Sequence, residues 1–401
     1  MNLFKSTLII ILSLMLTNCT NNDDKLKARA NELAQKFIIT DGHIDLPWRL
    51  HKNGYEDISV RTPGGDFDYV RAKQGGLDAP FMSIYVPATY QVTGGAKEMA
   101  LELMNSVKRI TTDHPDKFEM AYSISDVERI FNEGKIALPM GMENGAPIEG
   151  DLDNIQFFFD EGIRYITLTH SEDNDICDSS YNLGERTHKG LSDFGKEVVL
   201  EMNRVGIMVD ISHVSDDAFY QIMDVTQVPA IASHSSARHF TPGFERNMSD
   251  DMIKRLAENG GVIQINFGSS FVTQESQDKR KKNSEDVSAF AKENNLESDD
   301  PRVKEFAKKV AIDNPVFCDV TDVADHFDHV VKLVGIDHVA FGSDYDGVGD
   351  TLPYGLKDAS TFPNLIYHLL KRGYSEEDIE KICYKNIWRV WKATEEFAEL
   401  N

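Results

Sequence analysis

Cysteine is scarce in this chain: four occur in 401 residues, and none stands in a Cys-x-x-Cys pair. A disulfide framework is therefore excluded as the stabilising device. Basic residues are also in deficit, 42 against 66 acidic, giving a formal charge of -24. Nucleic-acid binding needs a basic face, so that class is excluded as well. The most apolar stretch, "LIIILSLML" at 8–16, has nine residues, far short of the roughly 20 a membrane-spanning helix requires. No glycine-rich phosphate loop follows the first strand-like run, which argues against an open, doubly wound nucleotide-binding sheet. What remains is a chain with 41% hydrophobic residues, enough for a full core without metal or disulfide staples.

The N-terminus differs in composition from everything after it. Lys5 precedes the nine-residue apolar run, and a secretory signal fits that order of charge and apolar core. Leu16-Thr17-Asn18-Cys19 resembles a bacterial lipobox, with Asn18 where a small residue usually precedes the cysteine. The reading is a signal peptide over 1–18, Cys19 as the lipidation site and a lipid-attached tether over 19–30. The mature protein would then be exported and lipid-anchored to the cell envelope, facing the periplasm or the outside; simple secretion is the alternative.

Beyond the tether, β-like runs alternate with helix-like stretches, a pattern that implies a parallel sheet with crossover helices. Eight runs qualify: 37–45, 79–88, 135–144, 163–170, 206–213, 228–235, 261–268 and 337–344. Eight strand–helix units describe a (β/α)8 TIM barrel, an α/β fold of about 250 residues that tolerates insertions. Residues 31–401 are read as one such domain. Residues 49–78 are expected to form a long first loop over the barrel mouth. The highly charged stretch 273–315, between strands seven and eight, is expected to be a helical insertion on the active-site side, with Pro301 at a helix start. The C-terminal segment 375–400 reads as an amphipathic helix broken near Asn386, its Trp388 and Trp391 packing on the barrel.

In a barrel of this kind, chemistry sits at the C-terminal ends of the strands. Strand one ends with His43 and Asp45, two residues apart and so on one face of an extended chain. Glu143 closes strand three, His170 strand four, His213 strand five, His234 strand six and Asp344 strand eight. Unpaired, so many polar groups on one rim would be costly to desolvate. A divalent cation reverses that balance. Imidazoles and carboxylates without cysteine suit zinc, with cobalt or manganese as alternatives. Five ligands exceed one open tetrahedral site and match two metals sharing a bridging carboxylate and a hydroxide. The implied chemistry is hydrolysis of a carbonyl compound.

The ordered motifs "DGHIDLPW", "GMENG", "LTHSEDN", "GLSDFGKEVVLEMNRVGIMVDISHVS", "SHSSAR", "RNMSDD" and "FGSDYDG" resemble those of the membrane (renal-type) dipeptidases, zinc peptidases on an amidohydrolase-like barrel. The similarity runs from about residue 37 to 390. Matched motif by motif, it implies a metal-dependent hydrolase barrel with two Zn2+. His43 and Asp45 would ligate one, His213 and His234 the other, and Glu143 would bridge them. His170 would stabilise the oxyanion, Arg246 would grip the dipeptide's free carboxylate, and Asp344 would receive its α-amino group and assist proton transfer. Arg238 is the weaker candidate for the carboxylate, and Asp346 is expected to support the site from behind. The resemblance also implies dipeptide substrates and a homodimer.

Two departures from the family pattern stand out: Phe271 occupies the place of a tyrosine in animal members, and the 273–315 insertion is longer than theirs. Two competing readings share the barrel and the metals. One is a dizinc amidohydrolase acting on cyclic amides, lactones or β-lactams; the other is a non-catalytic metal-binding surface lipoprotein.

Overall fold

A computed structural model describes residues 22–400; the signal segment and Cys19 lie outside the described residues. Ten short strands form, most of them buried along their whole length, as expected where helices cover one face and a packed interior the other. They are β1 (Ile39–Ile44), β2 (Leu77–Tyr85), β3 (Phe118–Met120), β4 (Ile136–Leu138), β5 (Met140–Glu143), β6 (Ile163–Thr167), β7 (Met208–Asp210), β8 (Ile231–Ala232), β9 (Val262–Ile265) and β10 (Val339–Phe341). Eight of them close a barrel in the order β1-β10-β9-β8-β7-β6-β5-β2, with every pair parallel. This is the (β/α)8 architecture, and closure rules out the open doubly wound sheet.

The barrel interior is a packed core. The Tyr165 ring fills it opposite Gly141, where a Cβ would lie 2.0 Å from the ring. Any larger residue at 141 would displace that ring. The C-terminal segment plugs the N-terminal end of the barrel. It runs as a helix Glu376–Glu380, a π-turn Lys381–Lys385 and a helix Asn386–Leu400. The expected break near Asn386 is not present: the segment stays helical throughout and only widens into the π-turn, after which the Asn386 side chain donates to the carbonyls of Ile336 and Val339 at 2.7 and 2.8 Å. Trp391 packs against Phe81, and Trp388 Nε1 donates to Thr40 Oγ1. Both tryptophans are core residues, as the sequence suggests.

Three further expectations need correction. The run 135–144 is two strands, divided at Pro139, which has no N–H to continue a ladder. The first half, β4, pairs with β3 in a separate two-stranded sheet. Residues 49–78 are not one long loop. They contain most of the helix Leu46–Asn53, the helix Tyr69–Gly75 and the start of β2. Residues 22–30, read as tether, belong to a helix over 22–36 whose Ala30 is buried in the core.

The insertion between β9 and β10 is helical, as expected. Helices Gln274–Glu293 and Pro301–Asp313 form a hairpin, with Phe290 stacked on Phe306 at 4.2 Å and Asn283 and Asn314 exchanging hydrogen bonds. Cys177, Cys318 and Cys383 are all free and buried. Among the described residues no helix is long and apolar enough to cross a membrane.

Candidate active site

The seven rim residues converge at the C-terminal mouth of the barrel. His43 lies within β1 and Glu143 ends β5; the others stand just past their strands, where the chain turns outward. Two of these turns are strained, since His213 has φ 72° and Asp344 φ 62°. Positive φ is uncommon for non-glycine residues and persists where surrounding structure over-determines it, often at functional sites.

Glu143 is the hub. Its Oε1 lies 3.1 Å from His213 Nε2, 3.2 Å from His234 Nε2 and 3.5 Å from His170 Nε2. Its Oε2 lies 3.4 Å from His43 Nε2, which is also 3.4 Å from Asp45 Oδ2. Three overlapping triads can chelate a cation: His43-Glu143-His234, Glu143-His170-His213 and His43-Asp45-Asp344. Gly347 closes the last of these. A Cβ there would lie 2.1 Å from Asp45 Oδ2 and 2.3 Å from Asp344 Oδ1, so only glycine lets the two carboxylates sit where they do.

Hydrogen bonds behind the site set the imidazole tautomers. Tyr165 has one hydroxyl proton and donates it to the Gly42 carbonyl at 3.0 Å. Its 2.8 Å contact with His43 Nδ1 is then a bond in which Nδ1–H donates, leaving Nε2 turned toward the hub. His234 repeats the device. Ser233 Oγ donates to Asp210 Oδ2 at 2.6 Å, so His234 Nδ1–H donates to Ser233 Oγ at 2.7 Å. Both rings therefore turn Nε2 toward the centre, the atom a metal would take; His234 Nε2 lies 2.9 Å from His213 Nε2.

The electrostatics agree. Burial, reinforced by the Arg246 charge, pushes His213 and His234 well below the ordinary histidine range, so both are neutral. At Glu143 burial opposes ionisation, but the surrounding histidines outweigh it and hold the carboxyl well below its usual range. His43 is pulled the other way: burial lowers it, while Tyr165, Glu143 and Asp45 together raise it well above normal. The cluster thus favours positive charge at its centre. His43 Nε2, Asp45 Oδ1 and His213 Nδ1 are buried without a hydrogen-bond partner, an arrangement that costs about 1–3 kcal/mol per group unless something else satisfies it. The donor set suits a divalent cation of the zinc type, and the orphaned Nε2 and Oδ1 atoms have the chemistry to hold it.

Above the hub is a cavity of about 310 Å³, at the small end of the range for ligand sites. Arg246 lines it, 3% exposed. Its Nη1 donates to Ser235 Oγ at 2.7 Å and its Nη2 to the His234 carbonyl at 2.8 Å, while Nε has no partner. Asp344 also lines the cavity and accepts from Asn266 Nδ2 at 2.7 Å; burial, then the Asp45 charge, push its carboxyl well above the usual range. Phe271 stands at the Arg246 guanidinium, its ring 5.5 Å away. Arg238 is consumed by Asp216 and the Asn247 carbonyl, and Asp346 by Arg49 and the Asp66 backbone N–H. Neither lines the cavity, which agrees with the lesser roles read for them.

Sequence reasoning missed several contributors. Tyr165 and Ser233 orient the His43 and His234 rings but sit in apolar or small-residue runs that read as core. Asn266, Tyr181 and Arg280 carried no spacing signal. Trp48 was within a quoted motif yet had no role until the cavity showed it on the wall.

Comparison with known proteins agrees with this geometry. The chain is 30% identical over 385 residues to mouse "Dipeptidase 3", covering 94% of this chain and 69% of that protein. It is 31% identical over 386 residues to an uncharacterized dipeptidase of Schizosaccharomyces pombe, covering 92% of this chain and 84% of the relative. Among solved structures it resembles the probable dipeptidase PvdM from Pseudomonas aeruginosa, with TM-score 0.80, 26% identity and coverage of 94% and 100% of the two chains. The family model described as membrane dipeptidase, peptidase family M19, matches residues 27–401. With that match spanning the whole barrel and its rim of ligand-type residues, the chain belongs to the membrane dipeptidase family of metal-dependent peptidases and is a hydrolase of that type.

Proposed function

We propose that this protein is an exported dizinc dipeptidase that hydrolyses the peptide bond of dipeptides with free amino and carboxyl termini. The observation that carries the reading is one carboxylate, Glu143, within 3.5 Å of four imidazole Nε2 atoms, beneath a small cavity lined by both Arg246 and Asp344. One ion would be held by His43, Asp45 and Glu143, the second by Glu143, His213 and His234. When bound, the two ions polarise the scissile carbonyl and bring a water's pKa down to about 7.

The chain's own groups do the rest. The Arg246 guanidinium keeps three of its five N–H donors after its bonds to Ser235 and the His234 carbonyl, and offers them to the substrate carboxylate. Asp344 takes the α-ammonium group. The two charged residues then measure a single peptide bond between them, which favours dipeptides over longer chains. His170 lies beside Glu143 on the cavity wall, placed to donate to the oxygen that becomes negative as the carbonyl turns tetrahedral. As a water attacks the carbonyl carbon, Asp344 would take the proton that water releases and pass it to the amine nitrogen as the C–N bond breaks.

The same reading makes Cys19 the lipid-bearing residue that anchors the protein to the cell envelope, on the sequence evidence of the apolar run and the residues before the cysteine. A homodimer is part of the proposal by family resemblance.

A substrate panel tests the activity. Unmodified dipeptides are expected to exceed their N-acetylated and C-amidated forms in kcat/KM by about 100-fold or more, since each capped end loses a charge-assisted bond or pair. Equal turnover of capped and free forms, or preference for a lactone or β-lactam, would overturn the dipeptide reading.

A further inference from the structure

The helical insertion brings a second guanidinium to the cavity. Arg280 lies on the helix Gln274–Glu293, and its side chain lines the same cavity as Arg246 and Asp344. Its Nη1 donates to Ser270 Oγ at 2.8 Å. Ser270 directly precedes Phe271, the residue whose ring faces the Arg246 guanidinium. Arg280 is thus fixed on the Arg246 flank of the cavity, and the Tyr181 phenol lies within electrostatic reach of both guanidiniums.

Two neighbouring cations on this helix are paired at i,i+4 spacing, Lys279 with Glu275 and Lys282 with Asp286, and neither they nor Lys281 line the cavity. Arg280 differs from them. Among the described residues its hydrogen bond goes to a neutral hydroxyl, leaving the charge uncompensated at the rim. Arg246 is already assigned to the substrate's terminal carboxylate, so a further cation beside it has no partner in a dipeptide with a neutral C-terminal side chain.

We propose that Arg280 reads a second carboxylate on the substrate, making dipeptides with an acidic C-terminal residue the preferred class. The inference rests on the dipeptidase reading and on Arg246 holding the terminal carboxylate. With aspartate or glutamate as the C-terminal residue, the substrate presents two carboxylates on one side and one ammonium on the other. The cavity answers with Arg246 and Arg280 on one flank and Asp344 elsewhere on its wall. Because Arg280 is exposed at the rim, its contribution is screened by salt, unlike that of buried Arg246.

The test compares Ala-Glu with its near-isosteric neutral partner Ala-Gln on the full enzyme and on Arg280→Gln and Arg280→Lys. The parent is expected to favour Ala-Glu by roughly tenfold in kcat/KM, as one charge-assisted bond allows, with the ratio shrinking at high salt. Arg280→Gln should bring the ratio near one while leaving Ala-Gln turnover within about twofold; Arg280→Lys should keep part of the preference. A parent without the acidic preference, or an Arg280→Gln variant that retains it or loses both substrates equally, would overturn the proposal. No turnover of either Ala-Glu or Ala-Gln by the parent would instead overturn the dipeptidase reading on which it stands.

Discussion

Glu143→Gln is expected to lower kcat by at least about 10³-fold while the protein stays folded. The charge at position 143 is the one that all four imidazoles surround, and its Oε1 and Oε2 atoms each face different histidines. An amide keeps the shape but offers only one acceptor oxygen and no negative charge, so it cannot bridge two cations. Losing several kcal/mol of transition-state stabilisation of this kind corresponds to three or more powers of ten. Some stability should be lost as well, because the surrounding histidines favour the ionised carboxylate that the substitution removes. Circular dichroism and a melting curve beside the kinetics separate the two effects. Near-parent turnover in a folded Glu143→Gln protein would show that the bridging role is misassigned.

The second large effect belongs to Arg246. Arg246→Met should reduce kcat/KM on free dipeptides by about 10² to 10³, since two charge-assisted hydrogen bonds to a carboxylate are at stake at roughly 1.5–3 kcal/mol each. Methionine retains an apolar stem against Phe271, limiting the loss of packing. The diagnostic comparison is with a C-amidated dipeptide, which has no carboxylate to lose: parent and variant should process it within a few-fold of each other. An equal loss on both substrates would mean that Arg246 acts on the ligand shell through Ser235 and the His234 carbonyl and does not grip the substrate.

Much of the barrel could be read from the chain because its strands are buried on both faces and so appear as short apolar runs ending in polar residues. His43, Asp45, Glu143, His213 and His234 were each visible as a polar interruption at such an end. The β3–β4 sheet was hidden because three-residue strands carry too little pattern, and Pro139 lies inside what looks like one continuous run. The helices after β1 were hidden for a related reason. Leu46–Asn53 and Tyr69–Gly75 are short and are stabilised by contacts distant in sequence, such as Arg49 with Asp346, that local spacing cannot express.

The ligand-orienting layer was the least legible part. Tyr165 and Ser233 act through single hydrogen bonds to His43 and His234, and nothing in residue type or period distinguishes them from core. Arg280 lines the cavity because the highly charged helical hairpin between β9 and β10 places it there. Its charge was plain in the sequence, but its direction was not.

The central claim is that Glu143 and the surrounding histidines and aspartates hold two catalytic divalent ions. Its most direct test is a zinc titration of chelator-treated protein, with bound metal and dipeptide turnover read on the same samples. The account predicts negligible turnover in the stripped protein, tight binding of two equivalents per chain and recovery of activity that levels off at the second. Full activity in the stripped protein, or saturation below one equivalent with no recovery on adding zinc, would contradict it.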